Sequence, residues 1–139
     1  MSSNALDAML YSALTGDSAL TDMLATATSV WKDGQVDEEA PFPYVVFSSP
    51  ALTDTYVLGN GYGYADHMYT IKGVAQGYDS ASKAQDIGER IFALINLQTF
   101  TLSEGTMLLL RRETGVDFPM TEDNEVYHHN GGVYRIEVQ

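Results

Sequence analysis

The residues with the most obvious chemical potential lie near the end of the chain. His128 and His129 follow Glu122, Asp123 and Glu125, and the five resemble a crude metal-binding set. Imidazole and carboxylate ligands suit zinc and related ions. Adjacent residues on a strand, however, point to opposite faces, so one ion cannot easily take both histidines. The spacing matches neither a His-x-x-x-His helix nor a calcium loop. Asp66-His67 has the residue types for half of a catalytic dyad, but neighbours along a strand are badly placed to orient one another, and no serine sits in an elbow motif. Gly59-Asn60-Gly61-Tyr62-Gly63 invites comparison with a phosphate loop. Such a loop must join a strand to a helix N-terminus, where free N–H groups converge, and here a strand pattern follows. The expectation is no catalytic, cofactor-binding or metal-ligating residue. A small metal-dependent hydrolase using His67 or His128 is the rival reading.

Contact chemistry is better represented. Arg111-Arg112 is the basic doublet of the chain. On a strand its two side chains face opposite ways, each is expected to pair with a carboxylate, and arginine is enriched at subunit interfaces. There are nine tyrosines, and Tyr56, Tyr62, Tyr64, Tyr69 and Tyr78 bracket the glycine-rich segment and the strand that follows it. Their rings bury much area while keeping a polar tip, which suits protein contacts, although β-propensity alone accounts for part of the set.

These residues need elements to position them. Leu6, Met9, Leu10, Ala13 and Leu14 recur at helical spacing, predicting a helix over 4–15, capped by Ser3 or Asn4 and ended by Gly16. A short second helical piece follows over 17–24, with Leu20, Met23 and Leu24 inward. Val30 to Lys32 predicts a short strand, and Asp33 to Ala40 a solvated acidic loop. Pro41-Phe42-Pro43 predicts an extended approach to a strand at Tyr44 to Phe47. Asn60-Gly61 marks a tight turn in a hairpin or loop between Thr53 and Tyr64. From Tyr64 to Gln76 the chain alternates, with Tyr69, Ile71, Gly73 and Ala75 on one face. A helix over 80–96 places Ala84, Ile87, Ile91, Leu94 and Ile95 on one stripe, with Gly88 allowing close approach to a sheet. Thr106 to Glu113 predicts a well-buried strand that becomes polar at its end, Gly115 to Asn124 an irregular connection, and Val126 to Val138 a last strand or hairpin bent at Asn130-Gly131-Gly132. The order fits α+β: a largely antiparallel sheet with an N-terminal helix pair and one long central helix on one face.

Whole-chain properties narrow the function. The 139 residues fit one domain, 1–139, long enough to bury a self-sufficient core. Nineteen acidic against seven basic residues give a net charge of −12, which repels the phosphate backbone and argues against tight nucleic-acid binding. There is no cysteine, so disulfides and thiolate metal sites are excluded. No basic leader precedes an apolar stretch and no window is long enough for a membrane helix, so the expectation is a soluble, cytoplasmically made protein.

The order of parts resembles the tail terminator, or tail completion, family of long-tailed bacteriophages. The resemblance rests on the paired helices of Leu6 to Leu24, then Val30-Trp-Lys-Asp-Gly34, Pro41-Phe-Pro-Tyr-Val-Val-Phe47, Tyr69-Thr-Ile-Lys-Gly-Val74 and Gly77-Tyr-Asp-Ser-Ala-Ser-Lys-Ala84. Arg111 to Asp117 and Val133-Tyr-Arg-Ile-Glu-Val138 are similar to the family's closing strands. A longer acidic insertion at Asp33 to Ala40, and Gly73 within its strand, depart from the pattern. The resemblance implies a virion structural protein with no enzymatic activity or cofactor. It implies a ring, commonly a hexamer, that caps the tail tube, stops its polymerisation and meets the head-completion or neck proteins, assembled in the host cytoplasm without membrane contact. Genome DNA would pass through an acidic bore without specific binding. Tyr56, Leu58, Asn60, Tyr62, Tyr64, Arg111 and Arg112 are the expected protein–protein contacts. Another neck or connector component, and a monomeric adaptor that binds a peptide by strand addition, are the alternatives within the binding classes.

Overall fold

Leu6, Met9, Leu10 and Leu14 are all buried, which makes α1 (Ser3–Thr15) an amphipathic helix with its apolar side against the core. The computed structural model describes residues 3–55 and 64–139. After α1 come α2 (Ser18–Thr21), β1 (Val30–Lys32), β2 (Tyr44–Thr55), β3 (Tyr64–Gln76), α3 (Ser80–Ile95), β4 (Met107–Glu122) and β5 (Glu125–Val138). The five strands form one sheet in the order β1-β2-β3-β5-β4. Among the described residues, only the short β1 runs parallel to its neighbour, so the architecture is α+β with a mostly antiparallel sheet.

Alternation along the strands separates two faces. Phe47 lies beside Ile71, and Tyr69 beside Tyr134. These four, with Val45, Ile136 and Val138, join the buried residues of α1, α2 and α3 in a single hydrophobic cluster. The helices therefore form one layer on one side of the sheet. Helix α3 sits especially close. A Cβ added to Gly73 would overlap the Ile87 side chain, and one added to Gly88 would overlap the Asn130 side chain. Interdigitation at this density is what glycine provides where helix meets strand.

Polar ties fix the smaller helices. Asp17 caps α2 by accepting a hydrogen bond from the Leu20 N–H at 3.0 Å. Asp7 of α1 takes Lys32 Nζ at 2.6 Å and the Tyr69 hydroxyl at 2.7 Å, holding α1 to β1 and β3. Burial, and then the Asp7 carboxylate, push the Tyr69 hydroxyl pKa far up, so this hydroxyl stays a donor.

Several expectations change. Strand β4 is not well buried: it is an edge strand in which Met107 and Leu110 reach the core, while Leu108 is 45% exposed. Residues 115–122 are not an irregular connection but the second half of β4, and Pro119 is accommodated because an edge strand leaves one side of its backbone outside the ladder. The reversal comes at Asp123 and Asn124, with φ of 52° and 65°. Both central residues having positive φ is the signature of the tight hairpin turn whose twist matches its strands. Strand β5 runs unbroken through Asn130-Gly131-Gly132. The glycine pair reflects crowding: a side chain at 131 would strike Ile71 and Lys72, and one at 132 would strike Arg112. Phe42 and Pro43 form a bend rather than an extended approach, and the Phe42 ring packs at 4.9 Å from Tyr44 and 5.3 Å from Tyr127. Ser3 and Asn4 as caps fall outside what is described of the side chains; the helix itself begins at Ser3.

Candidate assembly interface

The sheet face opposite the helices carries two bands of side chains. The first is ionic and joins β4 to β5. Arg111 Nη2 lies 2.9 Å from Glu113 Oε1, Arg135 Nε lies 3.2 Å from the same oxygen, and Arg135 Nη1 lies 3.7 Å from Glu137 Oε1. Hydrogen bonding to Arg111 holds the Glu113 carboxyl below the usual carboxylate range and raises the guanidinium in turn. Glu113 reaches both arginines because it occupies an irregularity of register between Arg112 and Thr114.

The second band is aromatic. The His129 ring stacks on Phe118 at 4.6 Å and 9°, and Lys72 Nζ lies 5.2 Å from the centre of that Phe118 ring. Phe42, Tyr44, Val74, Met120, Glu122, Tyr127 and His129 line a shallow hollow of about 220 Å³ beside it. Burial, then the charges of Lys72 and His128, lower the His129 pKa to about 4, so this imidazole is neutral at physiological pH. Burial likewise lowers Lys72 below its ordinary value. A partly desolvated lysine and a neutral imidazole among aromatic rings are the composition of a contact surface.

The remaining residues singled out from sequence are placed as follows. Tyr56, Leu58, Asn60 and Tyr62 lie outside the described residues. Tyr64 opens β3, and its backbone pairs with Thr55 of the antiparallel neighbour β2. Arg111 and Arg112 do not share an environment. Arg111 has the expected carboxylate, whereas the Arg112 guanidinium lies 4.1 Å above the Phe92 ring of α3 on the helix side. His67 is a buried residue whose ring stacks near Tyr69. His128 pairs with Asp117 Oδ1 at 2.6 Å across the β4–β5 ladder, and its neighbour His129 turns to Phe118. Among the described residues, no three His, Cys, Asp or Glu side chains gather as a metal site. The Asp117–His128 pair is not visible from sequence, where Gly115 and Pro119 make 115–124 look irregular. The Asp-Asn turn, flanked by alternating Val116, Phe118 and Met120, was the available signal.

Comparison with known proteins adds identity to this geometry. The sequence profile described as tail completion protein gp17 matches residues 8–139. The chain belongs to that tail completion family. It is therefore a structural protein of a phage virion tail, a setting that entails assembly with other tail and head proteins. No curated protein matches the chain significantly. Among solved structures, a chain from the virion of a native gene transfer agent particle superposes with a TM-score of 0.79 at 18% identity, covering 98% of this chain and 96% of that one. A second solved chain has a TM-score of 0.66 at 16% identity, covering 100% of this chain and 96% of its own length. At these identities both show a shared fold.

Proposed function

We propose that this tail completion protein is the tail terminator: one domain, 1–139, that assembles as a ring, a hexamer by resemblance, on the last ring of the tail tube. It ends tube polymerisation and presents a different surface to the head-completion proteins. The observation that carries this reading is the family match over residues 8–139, nearly the whole chain. The uneven molecule supports it: one sheet face is sealed by helices, and the other carries ionic and aromatic bands suited to contact. A net charge of −12 suits a bore through which DNA passes without adhering. The work of such a protein is recognition, with no reaction to accelerate. Its contacts in this reading include the segment from Tyr56 to Tyr64 together with Arg111 and Arg112.

The test is light scattering and electron microscopy of the purified chain, alone and with tail tube protein. Rings, or a monomer that forms rings on tube ends and fixes their length, are expected. Tubes that keep growing in its presence, with the chain always monomeric, would overturn the proposal.

A further inference from the structure

We infer that the aromatic hollow at the outer end of the open sheet face is a socket for a lysine or arginine side chain of a neighbouring virion protein; this deepens the reading above by naming what a tail or head partner must offer, and rests on it. Four strands bring its walls together. Tyr44 of β2 stands in register with Val74 of β3, Val74 with His129 of β5, and Tyr127 of β5 with Met120 of β4. The Phe42 ring closes the corner, 4.9 Å from Tyr44 at a tilt of 30° and 5.3 Å from Tyr127 at 47°. Three rings tilted against one another, over a floor where Val74 is 2% exposed, have the composition of a cage for an ammonium or guanidinium group. The volume of about 220 Å³ is below the roughly 300–1,000 Å³ of a small-molecule pocket and suits a single side chain.

The charge at the socket has one sign. Glu122 is the charged side chain among its lining residues, since the His129 imidazole is neutral and His128 turns away to Asp117. Glu122 also stands directly opposite Glu125 across the β4–β5 ladder, and neither takes part in an ion pair among the described residues. Like charges facing each other across two strands are destabilising, so the fold holds an unfavourable pair that an incoming cation would neutralise. The Tyr44 hydroxyl, its pKa raised by burial and then by Tyr127, stays protonated and adds no charge of its own. Lys72 lies at the inner end of the band, over Phe118. Phe118 is four residues along β4 from Glu122, roughly 13 Å at about 3.3 Å per residue, which exceeds the ~8 Å screening length at physiological salt. The outer end therefore stays acidic.

The chain's own cations are committed, which points the socket at a different protein. Among the described residues, five basic side chains pair with carboxylates, and Lys72 and Arg112 lie on aromatic rings. Arg112 is fixed further. Its N–H donates to Asn96 Oδ1 at 2.8 Å, beside the Leu97 N–H that donates to the Leu110 carbonyl at 2.8 Å, and the hollow it lines already holds Glu89 and Asp117. A second copy would also bring a net charge of −12 toward Glu122 and Glu125. A partner with a projecting lysine or arginine is instead attracted by the acidic rim and seated among the rings.

Two measurements test the socket. In NMR titrations of the full chain, Nα-acetyl-lysine amide and Nα-acetyl-arginine amide should shift the Met120 methyl and Tyr127 ring signals, and the neutral Nα-acetyl-norleucine amide should not. Equal shifts from norleucine, or none from either cation, would overturn the inference. Glu125→Lys should relieve the facing carboxylates and raise the melting temperature by about 1–4 °C, yet weaken binding to tail tube ends or to head-completion protein about tenfold or more. Glu122→Gln should weaken the probes and the partner alike without loss of stability. Partner binding at full strength in both variants would overturn the socket and leave the terminator reading standing. Loss of ring formation by the Glu125→Lys chain on its own would give the hollow to a second copy and also overturn it. A wild-type chain that binds neither tail tube nor head-completion protein would overturn both.

Discussion

Arg90 of α3 grips the Asp17 carboxylate with two hydrogen bonds, from Nε and Nη2, each 2.8 Å long. Asp17 is also the cap of α2, so one carboxylate orders a four-residue helix and ties it to the long helix. A helix this short has little stability of its own and depends on such external ties.

Asp17→Ala should lower stability by about 1–2 kcal/mol, a cap plus a partly exposed ion pair, measured by urea unfolding. The hydrogen bonds from Arg90, and then the one from Leu20, hold the Asp17 pKa below its ordinary 3.8. A depressed carboxylate pKa contributes stability that is complete above the unfolded value and lost as pH falls through the folded one. The difference between wild type and variant should therefore shrink below about pH 4.

His129 gives a second acid-sensitive position in a different window. Its pKa is lowered from 6.5 to about 4, so the unfolded chain binds the proton more readily than the folded one. Stability should fall as pH drops from 6.5 toward 4, by on the order of 1–2 kcal/mol once solvent screening is allowed for. His129→Phe should flatten that slope in thermal melts, with Lys72, His128 and Glu122 left in place. An unchanged slope would show that His129 does not set this acid dependence.

The α3–sheet contact should tolerate neither bulk nor charge. Gly73→Val would drive methyl groups into Ile87 and should cost about 1–3 kcal/mol. Ile91→Asp, at a fully buried position, should leave no cooperative unfolding transition in circular dichroism.

Deleting residues 58–63 should leave the unfolding midpoint nearly unchanged, yet prevent ring formation or attachment to tube. Normal tube capping by the deleted chain would remove that segment from the contact surface.

The helices were legible because their apolar residues repeat every three or four positions, and burial of Leu6, Leu10, Ile87, Ile91 and Ile95 agrees with that spacing. Strand β3 was legible through alternation alone, from Tyr64 to Gln76. The β4–β5 hairpin was not, because Gly115, Pro119, Gly131 and Gly132 read as breakers. In the fold, Pro119 lies on an edge strand, and Gly131 and Gly132 are demanded by close neighbours. Local sequence cannot reveal a requirement imposed by residues twenty to sixty positions away. For the same reason the doublet Arg111-Arg112 showed its charge but not its division between a carboxylate and an aromatic ring.

The fastening of Asn96 and Leu97 along β4 has a consequence for self-association. The backbone groups of Leu110 and Arg112 that would have faced solvent are already satisfied from within the chain. An incoming strand finds no open ladder at that point, so sheets of separate molecules cannot fuse there into an unending ribbon. Neighbours must be recognised by side chains, a mode that permits geometry to close and growth to halt.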